Sequence, residues 1–380
     1  MFKNRGIILV PAVLLLCLTQ GLLAVQYAVV SESFSVSHGG TLTVDVAGAD
    51  INIRSEQNSV TVNVKGLRDE YRQWLEISQV ANGVLVKFDP EKRIRNIDSL
   101  VFEIGVPREF NIDAETSGGD ITLFTEIKGA VSVETSGGDI TFQEKIIGML
   151  KAETSGGDIE VSDVEGELNV STSGGDIEIG NVVGNVEAET SGGDIEIQNV
   201  QGKVDASTSG GDIQVKQVSG DASVKTAGGD LEVGVIGGDL EAATAGGDIT
   251  VEEVHGKTEA ETAGGDLNLE KLGGDFSAAT VGGDVLVSLT GSYAGEMSTL
   301  GGDLTLLLPA SAQVSIEAEI KLSGNDSDDE NPITSEFGEI DIIKRGAVVK
   351  SVSSNFDING GGPVIEIHNL SGSIAVKKLP

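Results

Sequence analysis

Cysteine is nearly absent from this 380-residue chain, which has one, Cys17. Because Cys17 falls inside a stretch read below as an export signal, the rest of the chain has no thiol. Disulfide staples, thiolate catalysis and cysteine-ligated metals are therefore excluded. Aromatic residues are scarce, at one Trp, three Tyr and ten Phe, so the core must be thin and aliphatic. Arginine is missing altogether between Ala114 and Asp303, where 8 lysines face 36 acids. The formal charge of the whole chain is -35. Nucleic acids and anionic lipid surfaces need a positive field to collect phosphate, so both are excluded as ligands. The three histidines, His38, His255 and His368, lie in three different regions and offer no catalytic pairing. At 39% hydrophobic and 22% charged residues, the chain is nonetheless expected to fold.

The N-terminus carries a targeting pattern. Lys3 and Arg5 precede an apolar run from Ile7 to Leu18, and small residues follow at Gly21 and Ala24. Residues 1–24 thus read as a secretory signal. The run is too short to span a bilayer, but its continuation through Leu22, Leu23 and Val25 leaves an uncleaved anchor as the one route to a membrane. Leu16 before Cys17 is not the small residue that lipid attachment needs. The protein is expected to be exported, to the periplasm, the cell envelope or the outside.

A repeat dominates the remainder. Thr-x-Gly-Gly-Asp occurs eleven times, its aspartates at Asp120, Asp139, Asp158, Asp176, Asp194, Asp212, Asp230, Asp248, Asp266, Asp284 and Asp303. The spacing is 18 or 19 residues throughout. Within a unit such as Gly184 to Gln201, two short alternating runs, Val186-x-Ala188-x-Thr190 and Ile195-x-Ile197, are separated by glycine-bearing turns. Period two means strands, and the glycines suggest turns with positive φ. Two strands and two turns per unit predict an all-β, single-stranded parallel β-solenoid, flattened, with one coil per repeat. Eleven coils at about 4.8 Å each make a rod on the order of 50 Å long.

Such a stack exposes unpaired strand edges at both ends. Residues 28–113 lack the repeat but alternate strongly, and are expected to form an N-terminal β-rich cap. The solenoid occupies 114–308. Residues 309–380 alternate again and read as a C-terminal cap, interrupted by an acidic loop at 323–336. The residue after the repeat threonine drifts from Ser (Ser117 through Ser209) to Ala227, Ala245 and Ala263, then Val281 and Leu300. That drift predicts that this edge is covered near its C-terminal end by the segment after Pro309.

The Gly-Gly-Asp-Ile-x-Ile/Val repeats are entered through Val106-Pro107-Arg108-Glu109-Phe110. They are closed by Asn359-Gly360-Gly361-Gly362-Pro363-Val364-Ile365-Glu366-Ile367 with Gly372-Ser373-Ile374. In these features the chain resembles the bacterial putative-adhesin family of exported β-solenoid domains. The resemblance implies a surface role, covers nearly all of the chain past the signal, and brings no catalytic residue with it.

Two roles for the eleven aspartates are open on the sequence. Each carboxylate could accept hydrogen bonds from turn amides or hydroxyls of the next coil. Alternatively, some could bind Ca²⁺ between coils, as glycine-and-aspartate β-rolls do. No other cofactor is called for. The run from Asn325 to Glu330 lacks the glycine and the closing glutamate of an EF-hand and reads as a solvated loop. Gly-Gly-Asp puts a carboxylate where a phosphate loop wants lysine. Glutamates such as Glu160, Glu178, Glu196 and Glu232 are spread along the repeats rather than gathered at one place. An enzyme is not expected. The reading is a non-catalytic envelope or surface scaffold whose partner is an envelope protein, a surface polymer or a second copy. The alternative is a module that binds cations or cationic peptides through its acidic face.

Overall fold

The computed structural model describes residues 27–90, 100–323, 332–345 and 349–380. The expected signal, including Cys17, and most of the acidic loop lie outside these residues. The described chain is all-β, with one short 3-10 helix at Asp69–Trp74. It winds as a flattened solenoid between two facing sheets.

One coil shows why. Val186 and Ala188 point inward from the strand Val186–Glu189, and Ile195, Ile197 and Val200 point inward from Ile195–Gln201, all at 3% exposure or less. Period-two alternation sends Glu187 and Glu196 outward. The next coils repeat this in register, Ile177 over Ile195 over Ile213 in one sheet and Ala188 over Ala206 in the other. Each buried isoleucine contributes on the order of 2 kcal/mol of transfer free energy. A single coil has no second face to bury, so that contribution depends on its neighbours. In the last repeat of 19 residues the extra length lies in the turn between Val285–Leu289 and Gly295–Thr299. In the first two repeats it splits the second strand, giving Ile121–Leu123 with Ile127–Lys128 and Ile140–Phe142 with Ile146–Ile147.

The order of coils in space departs from their order in the chain at both ends. Gly40–Val46 and Asp50–Glu56 form the first coil of the chain, yet they lie between the repeat strands Phe110–Thr116 and Ile121–Leu123 on one side and Gly83–Phe88 and Val101–Pro107 on the other. The last coil of the chain, Val364–Asn369 with Ile374–Lys378, is likewise inserted. Its inner neighbours are Gly295–Thr299 and Leu304–Leu308, and its outer neighbours are Val314–Ser323 and Ile333–Ser335. Antiparallel strands finish each end: Val30–Ser35 and Ser59–Lys65 in one sheet, Leu75–Val80 in the other, and Val349–Ile358 at the far end.

Two expectations are corrected. Val281 and Leu300 remain 52% and 51% exposed, so the segment after Pro309 does not cover their edge. It runs instead to the end of the stack, where Val314–Ser323 satisfies the backbone of Val364–Asn369. An unpaired strand edge costs more than two half-exposed aliphatic side chains, and the end takes precedence. The second correction concerns the paired glycines of Gly-Gly-Asp, none of which has a positive φ, whereas Gly148, Gly166 and Gly184 of the opposite turn do. The reason for the pairs is steric. A Cβ on the second glycine of each pair would overlap the carbonyl of the preceding coil, as Gly193 would with Gly175.

Candidate functional site

The turns that carry Thr-x-Gly-Gly-Asp stack into two hydrogen-bonded ladders. In the inner one, Thr190 is buried at 2% exposure, and its hydroxyl donates to the Gly175 carbonyl of the preceding coil at 3.0 Å while accepting the Gly193 N–H at 3.3 Å. In the outer one, each aspartate Oδ1 accepts the backbone N–H of the aspartate one coil on, at 2.7–3.0 Å from Asp120 to Asp303. All eleven candidate aspartates are thus brought into a single column, each with one carboxylate oxygen engaged by an amide.

Both ladders run past the repeats. Asp50 Oδ1 accepts the Asp120 N–H at 3.1 Å, and Thr116 donates to the Ala49 carbonyl at 2.8 Å. At the other end Ser373 donates its N–H and hydroxyl to Asp303 Oδ1 at 2.7 and 2.9 Å, and Asn369 Nδ2 donates to the Gly302 carbonyl at 2.9 Å. Asp50, Asn369 and Ser373 lie outside the eleven Thr-x-Gly-Gly-Asp motifs. Their signal is weak but present: Gly48-Ala49-Asp50-Ile51 keeps the phase of Gly-Gly-Asp-Ile with its second position changed, and Ser371-Gly372-Ser373-Ile374 keeps it with its first and third changed.

The opposite turn carries a shorter ladder. Asp239 donates its N–H to Asp221 Oδ1 at 3.1 Å, and Lys257 donates its N–H to Asp239 Oδ1 at 2.8 Å. Here a shallow groove of about 520 Å³ runs across several coils, lined among others by Lys203, Asp221, Ser223, Asp239, Lys257 and Glu259. Its charges are paired. Lys203 Nζ lies 2.7 Å from Asp221 Oδ2, and Lys257 pairs with Glu259. The Lys203 ammonium, with the Asp239 N–H second, holds the Asp221 carboxyl below its ordinary value. Lys225 does the same to Glu241, 2.7 Å away. At the N-terminal end Arg108 lowers Glu126.

On the outer faces the glutamates stand in columns. Glu160, Glu178 and Glu196 occupy successive coils, and Lys216 reaches back to Glu196 at 3.0 Å. Among the described residues, no three His, Cys, Asp or Glu side chains converge as a ligand set for a metal ion. The histidines stay apart, each beside a surface glutamate: His38 at 3.5 Å from Glu109, His255 at 2.9 Å from Glu253 and His368 at 3.4 Å from Glu366.

The sequence profile of the Toastrack family (DUF4097) matches residues 40–237 and again 202–343. The chain belongs to the Toastrack family. No curated protein matches it. Solved structures that match include three described as putative adhesins, the family that the repeats resemble. One from Bacteroides fragilis is 12% identical, covering 93% of this chain and 98% of its own, with a TM-score of 0.23. One from Parabacteroides distasonis is 13% identical over 74% of this chain and 97% of its own, with a TM-score of 0.29. One from Parabacteroides merdae is 14% identical over 73% and 95%, with a TM-score of 0.28. The Toastrack assignment rests on the sequence profile.

Proposed function

We propose that this Toastrack protein is an exported, non-catalytic scaffold of the cell envelope or surface, an adhesin-like rod that presents long repetitive faces to a surface polymer, a partner protein or another copy of itself. The observation that carries this reading is the sameness of the coils. From Asp158 to Asp284 every repeat is 18 residues long, with its strands in continuous register. An enzyme site on such a frame needs coils that differ locally and project unlike groups into one groove. Here the groove lined by Lys203 and Lys257 holds lysines already paired with acids. Export is supported by the pattern of residues 1–24.

The test has two parts. Fractionation of cells, with sequencing of the mature N-terminus, should find the protein in the envelope or medium; a cytoplasmic protein starting at Met1 would end the proposal. Pulldown from envelope extract at low and high ionic strength should then give one partner whose capture survives salt.

The columns of stacked glutamates favour a second reading, in which the acidic face collects cations or cationic peptides. Capture of basic peptides that is lost at high salt would support it. Calcium between the aspartates belongs to the same reading. A thermal midpoint that moves between EDTA and millimolar Ca²⁺ would support that ion site, and an unmoved one would remove it.

A further inference from the structure

The two ends of the rod are not finished alike. At the C-terminal end the outermost strands are Ile333–Ser335 and Ile343–Arg345, three residues each, and among the described residues Ser354–Ile358 of the strand beneath the second also has a strand partner on one side only. Very short edge strands are one of the devices that keep sheets from adding further strands. At the N-terminal end the outermost strands are Val30–Ser35 and Leu75–Val80, six residues each. Among the described residues each has a partner on one side only, Ser59–Lys65 for the first and Gly83–Phe88 for the second. Neither contains a lysine, an arginine or a proline, and each carries a single charge, Glu32 in the first and Glu76 in the second, so the protection of these edges is slight. Gln79 Nε2 donates to the Ser35 carbonyl at 2.9 Å and ties the two edges into one end face. Phe34, Trp74, Leu75 and Ile77 pack on the core yet stay partly exposed, and Val80 is 56% exposed.

Charge decides which surfaces can meet. Residues 114–303 carry 36 acids and 8 lysines, net -28, whereas residues 28–113 carry 13 acids and 9 bases, net -4. Two rods side by side would set their acidic faces against each other. Two rods joined at their N-terminal ends would not.

We propose that the N-terminal end face docks a second copy of this chain, end to end, about a two-fold axis normal to the sheets. Rotation about that axis reverses both the rod axis and the strand direction while each sheet keeps its own side. Val30–Ser35 then pairs antiparallel with its counterpart, and Leu75–Val80 does the same. Both sheets continue through the junction, and the half-exposed end of the core is covered. The contact is isologous and closes at two copies, giving one rod of double length. This assembly does not depend on the adhesin-like reading.

The test is sedimentation velocity with light scattering on the exported chain, compared with the double variant Ser33→Lys/Ser78→Lys, which places like charges across the junction. The expected result is an elongated dimer for the unaltered chain and a monomer with an unchanged circular dichroism spectrum for the variant. Independently, in a Cys17→Ser background, oxidised Ser33→Cys should give a disulfide-linked dimer, and Ser335→Cys at the opposite end should not. A monomer at every concentration, a dimer cross-linked through Ser335→Cys, or open-ended fibres would overturn the proposal.

Discussion

Asp139 donates its backbone N–H to Oδ1 of Asp120 at 3.0 Å, so the carboxylate of one coil holds the turn of the next. The same bond recurs along the column, and it offsets the repulsion of carboxylates set about 4.8 Å apart, roughly 1 kcal/mol per neighbouring pair even in water. Acceptor and charge are separable in the middle of the column. Asp194→Asn keeps an oxygen for the Asp212 N–H, now 2.8 Å away, and removes a charge, whereas Asp194→Ala removes both. The asparagine variant should be more stable than the alanine variant by about 1 kcal/mol in urea melts, and at least as stable as the parent. Equal midpoints for the two variants would show that the amide bond contributes nothing.

The paired glycines of one turn differ sharply in what they tolerate. A Cβ on Gly192 would have no neighbour closer than 3.7 Å, whereas one on Gly193 would overlap the Gly175 carbonyl. Gly193→Ala should cost about 3 kcal/mol, the upper range for forcing an atom into a packed site. Gly192→Ala should leave the midpoint almost unchanged. Comparable losses at the two positions would mean that a shared backbone conformation, rather than coil-to-coil approach, demands glycine.

The column of inward residues that runs Leu240, Thr258, Phe276 places a hydroxyl among aliphatic and aromatic neighbours. Thr258 is 0% exposed and its Oγ1 has no hydrogen-bond partner. Burying such a group unpaired is unfavourable, and valine has nearly the same shape without it. Thr258→Val should therefore stabilise the protein by about 1 kcal/mol, read as a higher urea midpoint at unchanged slope. A loss of stability would reveal a partner for the hydroxyl.

The central architecture was legible because each of its causes is local. Val186-x-Ala188 and Ile195-x-Ile197 fix two strands by alternation, and Gly192-Gly193-Asp194 fixes the turn. The hydrogen-bonded column of aspartates follows once coils stack in register. Asp50 and Ser373 escaped notice because two or three changed positions break the motif while leaving its phase intact. The inserted terminal coils were illegible for a different reason. Alternation in Thr41 to Val46 says that a strand forms there, but which strand lies beside it depends on contacts distant in sequence. Val281 and Leu300 misled because the size of a side chain at an exposed turn carries no information about which edge a later segment must close.

Between Ala114 and Asp303 the net charge is -28 and the lysines are exposed, Lys203 and Lys216 at 68% and 50%. Exposed pairs contribute little, and the unpaired acids repel along every column. Added sodium chloride screens both, and the more numerous repulsions should prevail, so the thermal midpoint should rise between low salt and about 0.5 M. Acidification acts through the pairs with a definite sign. Asp221 and Glu241 are held below their ordinary values by Lys203 and Lys225. Their contribution is present above the ordinary carboxylate range and is lost only as the pH falls through their lowered values. Nuclear magnetic resonance titration should find the Asp221 carboxyl moving back toward its ordinary value in Lys203→Ala. A midpoint that falls with salt would show that the ion pairs outweigh the columns.

An ordinary solenoid frays from its chain ends, because the terminal coil has a neighbour on one side only. In this Toastrack protein the last coil of the chain is held on both sides: Ile365 opposes Gly295 on the inner side and Ile316 on the outer, and Ile374 opposes Leu304 and Ile333. Releasing it requires the outer strands to leave first, and those strands belong to an earlier part of the chain. The C-terminal residues should therefore be among the slowest to open. Native-state hydrogen exchange should find the amides of Ile365, Ile367 and Val376 protected to the same degree as those of Ile195 and Ile197 in the middle of the rod. Deleting residues 364–380 should remove more stability than an internal 18-residue repeat, since it leaves Val314–Ser323 without its parallel neighbour as well. Exchange at Ile365 and Val376 as fast as at a frayed terminus would show that the inserted coil does not lock the end.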